Sequence, residues 1–271
     1  MDVIAANGMR MPKLGLGTFR MKGADCTAAI EQALALGYRH IDTAEMYGNE
    51  DAIGQALANT AVPRHQIHIT SKVWHDHLTP EAMRHALDQT LASLRTDHLD
   101  LYLIHWPGPD MNMAQTMETL MDIKRSGRAR AIGVANFTIK LLDEARQSGA
   151  ELACNQVEYH VLLAQEKLLA HMRQISLPLV AYCPLAQGRL TDHPALKDMA
   201  RKHSATPAQI VLKWLLDQDG VAAIPKASRK ETQGANLAAE SITLDDADRA
   251  AIAALPKDQR FVQPGFAPAW D

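Results

Sequence analysis

The sequence predicts an α/β protein, a (β/α)8 barrel of the TIM type, and three observations carry that prediction. Eight short apolar runs end near residues 16, 42, 72, 105, 134, 156, 182 and 224, spaced roughly 22 to 42 residues apart, the length of one strand–helix repeat. The runs are apolar at nearly every position instead of alternating, as in Leu99-Asp100-Leu101-Tyr102-Leu103-Ile104-His105, which is the pattern of a parallel strand buried on both faces. Finally, 271 residues are enough for eight such units, which together need about 250.

The elements follow in order. Val3-Ile4-Ala5-Ala6, the turn Asn7-Gly8 and Met9-Arg10-Met11 form a β-hairpin within residues 1–12 that closes the bottom of the barrel. After the strand ending near Leu16, the apolar positions Ile30, Ala33 and Leu34 line a helix that stops at Gly37, and Tyr38–Asp42 is the next strand. Ile67–Lys72 is the third. Thr79-Pro80 then supplies an N-cap with proline at the first helical position, followed by Met83, Ala86, Leu87, Leu91 and Leu94 on one face. Thr206 and Gln209 form a capping box that leads into Ile210, Val211, Trp214 and Leu215, and Val221–Ile224 is the eighth strand. Residues 256–271 are a tail. With no low-complexity linker, residues 1–271 read as one domain.

A doubly wound nucleotide-binding sheet is the competing α/β arrangement. Leu14-Gly15-Leu16-Gly17-Thr18-Phe19-Arg20 begins like its glycine fingerprint, but Arg20 stands where the third glycine should allow close helix packing.

Composition excludes several functions. A formal net charge of −3 and a pI near 6.5 do not suit a protein that neutralises phosphate backbones, so no nucleic-acid partner is expected. A hydrophobic share of 47% against 22% charged residues excludes global disorder. No apolar run approaches the ~18 residues that cross a bilayer, and the N-terminus lacks the pattern of a signal peptide. The widely spaced Cys26, Cys154 and Cys183 suit a reducing cytoplasm better than a disulfide framework. His65-x-x-His68 and His75-x-His77 lack the surroundings of a metal-ligand motif and read as exposed loop histidines, so no metal is expected.

Chemistry is expected where barrel strands end at their C-termini. Three successive strands end in Asp42, Lys72 and His105, and Tyr47 lies five residues beyond Asp42. Singly, each is an ordinary cap, solvated charge, core histidine or loop aromatic; together they select one rim. The set suits carbonyl reduction, in which a proton must reach the oxygen as hydride reaches the carbon. A free phenol titrates near ~10, so Lys72, held by Asp42, is expected to lower the Tyr47 value, while His105 orients the carbonyl oxygen.

The chain resembles the aldo-keto reductases. The resemblance runs in the family's order through Leu14-Gly15-Leu16-Gly17-Thr18, His40-Ile41-Asp42-Thr43-Ala44 with Tyr47-Gly48-Asn49-Glu50, and Ser71-Lys72-Val73-Trp74. It continues in Asp100–Pro107, Ile132–Phe137, Asn155–His160 and Ala181–Leu185. It implies Tyr47 as proton donor, Asp42 and Lys72 as its tuning pair and His105 as the carbonyl-orienting group. It also implies a nicotinamide cofactor held by Asn136 and Gln156 with Tyr182 stacked on the ring, and further cofactor contacts at Gly17, Thr18, Asp42, Pro184, Leu185, Gln187 and Asn236. Ala135 and Cys183 stand where serine is usual, which removes one expected contact.

Lys226, Ser228 and Arg229 follow the last strand where a helix opens, the expected place for a phosphate. Cations there suit the 2′-phosphate of NADPH, with Arg229 in place of an arginine that relatives carry where Thr232 stands. Phe19, Trp74, His75 and Trp106 are expected to line the substrate pocket, with Phe266 or Trp270 either joining them or packing on the exterior. The short loop after His105 and the short tail are most like the bacterial 2,5-diketo-D-gluconate reductases, including members that reduce methylglyoxal and keto esters. The implied activity is an NADPH-dependent reductase of small polar carbonyl compounds, monomeric by family habit. The alternative is an NADPH-binding barrel with a structural or regulatory role; a metal-dependent hydrolase is a more remote one.

Overall fold

In the computed structural model, which describes residues 2–271, each barrel strand lies beside its neighbours in sequence. The strands are β3 (Leu16–Gly17), β4 (His40–Asp42), β5 (His68–Val73), β6 (Leu99–Ile104), β7 (Ala129–Ala135), β8 (Leu152–Glu158), β9 (Leu179–Tyr182) and β10 (Val221–Ala223), all parallel. The sheet closes on itself where Leu14 pairs with Ala223 and Gly17 with Lys226, through Gly15 N–H to Ala223 O at 2.9 Å and Gly17 N–H to Pro225 O at 3.1 Å. The two glycines of the rejected fingerprint belong to this seam. A Cβ on Gly17 would lie 2.6 Å from the Ile224 carbonyl oxygen, and one on Gly15 would lie 2.4 Å from the His40 ring.

Helices α1 (Gly23–Leu36), α2 (Glu50–Asn59), α3 (Pro80–Leu94), α4 (Met113–Arg125), α5 (Ile139–Gln147) and α6 (Glu166–Gln174) alternate with strands; α7 (Pro194–Lys202) and α8 (Pro207–Leu216) both lie between β9 and β10. Then come α9 (Lys230–Ala238) and α10 (Asp246–Ala253). Local chemistry sets their ends. Gly37 closes α1 in the left-handed conformation, with φ 106°, that glycine adopts without strain. Thr79 caps α3 ahead of Pro80, and Thr206 and Gln209 form a reciprocal box at α8. β4 and β5 start later than the hydrophobic pattern suggests, β5 runs one residue past Lys72, and β6 stops one residue short of His105. Tyr38 precedes β4 and turns its hydroxyl to the Gln233 carbonyl of α9 instead.

The hairpin forms from β1 (Val3–Ala6) and β2 (Met9–Pro12), antiparallel with Ala6 opposite Met9. Met9 and Met11 bury themselves among Leu101, Leu103, Ala153, Cys154 and Val180, the inward residues of the barrel. Asn7 Nδ2 donates to Leu152 O at 2.6 Å, which ties the hairpin turn to β8. A second, larger core lies between the outward strand faces and the helices.

One histidine reading is corrected. His68 does not sit in an exposed loop: it is buried at the start of β5, paired in register with His40 and edge-on to it at 4.9 Å. Burial pushes the His40 imidazole down to about 4, and His68 well below its ordinary value. The unfolded chain therefore takes up a proton that the folded chain refuses between about pH 6.5 and 4, so folding stability falls as pH drops through that window. For His40 the loss amounts to about 3 kcal/mol once pH is below 4. Urea unfolding measured from pH 7 to 4.5 should show this slope, and His40→Gln should reduce it by about one proton.

Candidate active site

The parallel register brings the chemistry-bearing residues to one rim. Asp42 lies opposite Thr70, so Lys72, two residues on, projects from the same face of β5, toward the barrel interior. Lys72 Nζ lies 2.5 Å from Asp42 Oδ1 and donates to Thr43 O at 2.7 Å, and both side chains are almost wholly buried. The other oxygen, Asp42 Oδ2, accepts from Gln156 Nε2 of β8 at 2.7 Å. The carboxylate is thus shared between a cation and an amide, which answers the demand of a charge buried away from water.

Tyr47 ends a single 3-10 turn, Glu45–Tyr47, closed by Gly48 at φ 57°. Its ring is half-buried, with the Lys72 ammonium 5.1 Å from its centroid and the His105 ring 5.6 Å away, edge-on. Burial and the Asp42 charge raise the phenol above its ordinary value, against the opposing pull of the Lys72 charge and hydrogen bond. The expectation of an acidified resting phenol is therefore corrected: Tyr47 stays protonated. Burial alone would depress Lys72, but the charge and hydrogen bond of Asp42 outweigh it and hold the ammonium above its usual value. Burial, with Lys72 and His75 nearby, keeps His105 well below the ordinary imidazole value, hence neutral. Its Nδ1 is buried and bonds to no protein group.

The residues expected to hold a nicotinamide meet at the same mouth. Asn136, Gln156 and Tyr182 stand at the ends of β7, β8 and β9. Asn136 Nδ2 donates to His105 O at 2.9 Å, and its Oδ1 accepts the Tyr182 hydroxyl at 2.8 Å. Thr18 Oγ1 donates to Asp42 O at 3.0 Å beside the Gly17 seam. Asn136, Cys183, Ala186 and Gln187 all adopt φ near +50 to +60°, so left-handed backbone for non-glycine residues gathers at the strand ends, where function commonly holds such strain. Pro184 is buried, Leu185 half-buried and Gln187 exposed.

Further along, Lys226, Ser228 and Arg229 are exposed where α9 begins, with Arg229 at its N-cap and Lys226 Nζ 3.5 Å from Ser228 Oγ. Asn236 is buried within α9 beside Tyr38.

The pocket wall is aromatic and includes the tail. Trp74 lies edge-on to His105 at 5.1 Å, and Phe266 contacts His75 at 4.1 Å, Trp106 at 5.7 Å and Trp74 at 5.8 Å. Trp270 reaches Trp106 at 6.1 Å, and Phe19 reaches Tyr47 at 5.0 Å. Phe266 and Trp270 thus pack against residues expected to line the pocket, Phe266 on Trp74, His75 and Trp106, and Trp270 on Trp106.

With this geometry established, comparison with known proteins is decisive. A model of the aldo/keto reductase family matches residues 13–257. The chain belongs to the aldo/keto reductase family. This aldo/keto reductase is 41% identical over 268 residues to the methylglyoxal reductase DkgB of Escherichia coli O157:H7, covering 97% of this chain and all of the relative. It is 38% identical over 256 residues to the glyoxal reductase of Bacillus subtilis strain 168, covering 94% and 92% of the two chains. A solved structure provisionally assigned as a 2,5-diketo-D-gluconic acid reductase B superposes with a TM-score of 0.97 at 39% identity, covering 100% of this chain and 98% of that one. The protein is an oxidoreductase acting on carbonyl groups. No described helix is long and apolar enough to cross a membrane.

Two anchoring residues carried no signal of their own in the sequence. Glu158, fully buried at the end of β8, accepts from Phe261 N at 2.8 Å, Val262 N at 2.9 Å and His160 Nε2 at 3.0 Å, and so starts the tail on its course to the pocket. Glu45, in the Tyr47 turn, accepts from Trp74 N at 2.9 Å. In both cases the partners are far off in sequence or are backbone groups, which no residue pattern encodes.

Removing one partner of the buried pair should be worse than removing both. Lys72→Met leaves the Asp42 charge uncompensated and should cost about 3–5 kcal/mol of stability in urea unfolding. The double variant Asp42→Asn/Lys72→Met should recover most of that loss.

Proposed function

We propose that this aldo/keto reductase uses NADPH to reduce small polar aldehydes and ketones of the 2-oxoaldehyde, keto ester and diketogluconate kind, with Tyr47 as the proton donor. The observation that carries the reading is a protonated phenol, a buried ammonium and a neutral imidazole converging on one aromatic-walled mouth. The names of the relatives support the substrate class.

The residues present fit a nicotinamide dinucleotide phosphate. Side-chain amides carry both the donor and the acceptor that a carboxamide needs, and Asn136 and Gln156 provide two of them at adjacent strand ends. Tyr182 offers a ring beside them, and the basic opening of α9 offers a helix N-terminus with Arg229 and Lys226 for a phosphate. When bound, the reduced nicotinamide supplies a hydride to the carbonyl carbon.

The chain's own residues do the rest. His105, neutral, donates an N–H to the carbonyl oxygen and orients it. As negative charge builds on that oxygen, Tyr47 releases its hydroxyl proton to it. An alkoxide is more basic than a phenolate, so the transfer runs downhill even from a phenol that is not acidified. Lys72 stabilises the phenolate that forms, acting on charge as it develops. Solvent then returns a proton to Tyr47.

With Tyr47 above its ordinary value, the protonated donor persists through neutral pH, and reduction should decline only beyond about pH 10. A kcat profile in methylglyoxal from pH 6 to 11 checks this; a fall centred near neutrality would contradict it. Tyr47→Phe should lower NADPH oxidation about 1000-fold or more without weakening NADPH binding. Arg229→Ala should raise KM for NADPH about tenfold and leave that for NADH nearly unchanged, the loss of one charge-assisted phosphate contact. An unchanged cofactor preference would remove Arg229 from the phosphate site.

A further inference from the structure

The Tyr47 turn is short and exposed at its edges, with Met46 and Gly48 both open to solvent. Such loops move unless something holds them, yet a proton donor must be placed to within about 0.5 Å. Behind the turn, Asn49 is fully used: its Oδ1 accepts from Thr43 Oγ1 at 2.8 Å and its Nδ2 donates to Thr18 O at 2.9 Å and Met21 O at 3.1 Å. Lys22 donates from the start of α1 to the carbonyls of Tyr47 and Gly48. These contacts tie the turn to the β3 side of the barrel. They leave open what ties it to the wall against which a substrate would lie.

Glu45 makes that second connection. Its Oε2 accepts from Trp74 N at 2.9 Å and its Oε1 bonds to His77 Nδ1 at 2.6 Å. Trp74 directly follows the last residue of β5, so its N–H is the first to leave the sheet ladder. Trp74 and Tyr47 both lie edge-on to the His105 ring, at 5.1 and 5.6 Å. Glu45 therefore links the two segments whose aromatic rings meet the same imidazole. We propose that Glu45 is a positioning residue, which clasps the Tyr47 turn to the Trp74 wall and so fixes the distance over which the phenolic proton travels to the substrate oxygen. The inference rests on Tyr47 as proton donor.

The two contacts differ in weight. His77 is 46% exposed and Glu45 24%, so their pairing is largely solvated and contributes little. The bond from the Trp74 N–H is charge-assisted and made by a backbone group with a fixed position, so it carries the positioning.

The test compares Glu45→Ala, Glu45→Asp, Glu45→Gln, His77→Ala and Tyr47→Phe in the full chain. Single-turnover oxidation of NADPH by methylglyoxal is measured in H2O and D2O, with NADPH affinity measured by calorimetry. Glu45→Ala should slow the single-turnover step about tenfold or more, increase its solvent isotope effect and leave NADPH affinity unchanged. Glu45→Asp, which keeps the charge but falls a methylene short, should behave like the alanine variant and serves if that variant does not fold. Glu45→Gln keeps an oxygen for the Trp74 N–H and should stay within about threefold of the parent, as should His77→Ala. A lowered Tm with an unchanged rate and isotope effect would overturn the inference, and so would a glutamine variant as slow as the alanine one. If Tyr47→Phe is inactive in that event, the proton-donor reading survives alone; if Tyr47→Phe still turns over, that reading falls and the inference with it.

Discussion

The arrangement at the mouth depends on one interaction, the ion pair of Lys72 and Asp42 inside the barrel. Charges so deeply buried are tolerated only when each finds a partner of good geometry and the remaining lone pairs and protons are satisfied. Asp42 satisfies this with Lys72 on one oxygen and Gln156 on the other, and Lys72 with Asp42 and the Thr43 carbonyl. Adjacent parallel strands make the pairing possible, because their register places the two side chains on the same inward face. Closure of the sheet at Gly17 is equally necessary. It holds β3 and β10 together so closely that a Cβ would meet the Ile224 carbonyl, and it keeps Thr18 bonded to the Asp42 backbone.

The pair also decides how Tyr47 should be understood. A lysine beside a phenol suggests a phenol made acidic, and a sequence offers no means of setting that effect against desolvation. In the folded chain desolvation and the Asp42 charge prevail, so the resting group keeps its proton. This suits the donor role proposed for Tyr47 better than early ionisation would. A phenol half-ionised at neutral pH would be half spent before a substrate arrived, whereas a protonated one beside a fixed ammonium loses its proton only when a stronger base appears. In the proposed reaction Lys72 acts on the phenolate as it forms and has little hold on the ground state, which is how binding energy is turned into rate.

Much of this was legible in the chain. Continuous apolar runs, caps at Thr79 and Thr206 and the stop at Gly37 revealed the strand–helix repeat, because each rests on local chemistry. Asp42, Lys72 and His105 were legible because parallel strands deliver their C-terminal residues to one rim. What was hidden depends on distant partners. His68 read as a surface residue until β4 placed His40 against it. Tyr38 read as strand until α9 supplied an acceptor for its hydroxyl. Glu45 and Glu158 each meet one histidine side chain, but they anchor the turn and the tail through backbone N–H groups that every residue but proline has, so nothing in those partners' identities marks them. The tail's course depends on Glu158 and on aromatic contacts that span most of the chain.

The two ends of the barrel divide the labour, and the division bears on the site. At the bottom, Met9 and Met11 of the hairpin fill the interior among Leu101, Leu103 and Val180, so the barrel is packed from below. Lys72 and Asp42 are buried just beneath the mouth, where Tyr47 and His105 stand. A ligand that covered the mouth would exclude water from it, and every charge interaction there would strengthen as the local dielectric fell. The hairpin packs the far end, and the mouth is where the Lys72 charge acts, on Asp42, Tyr47 and His105 alike.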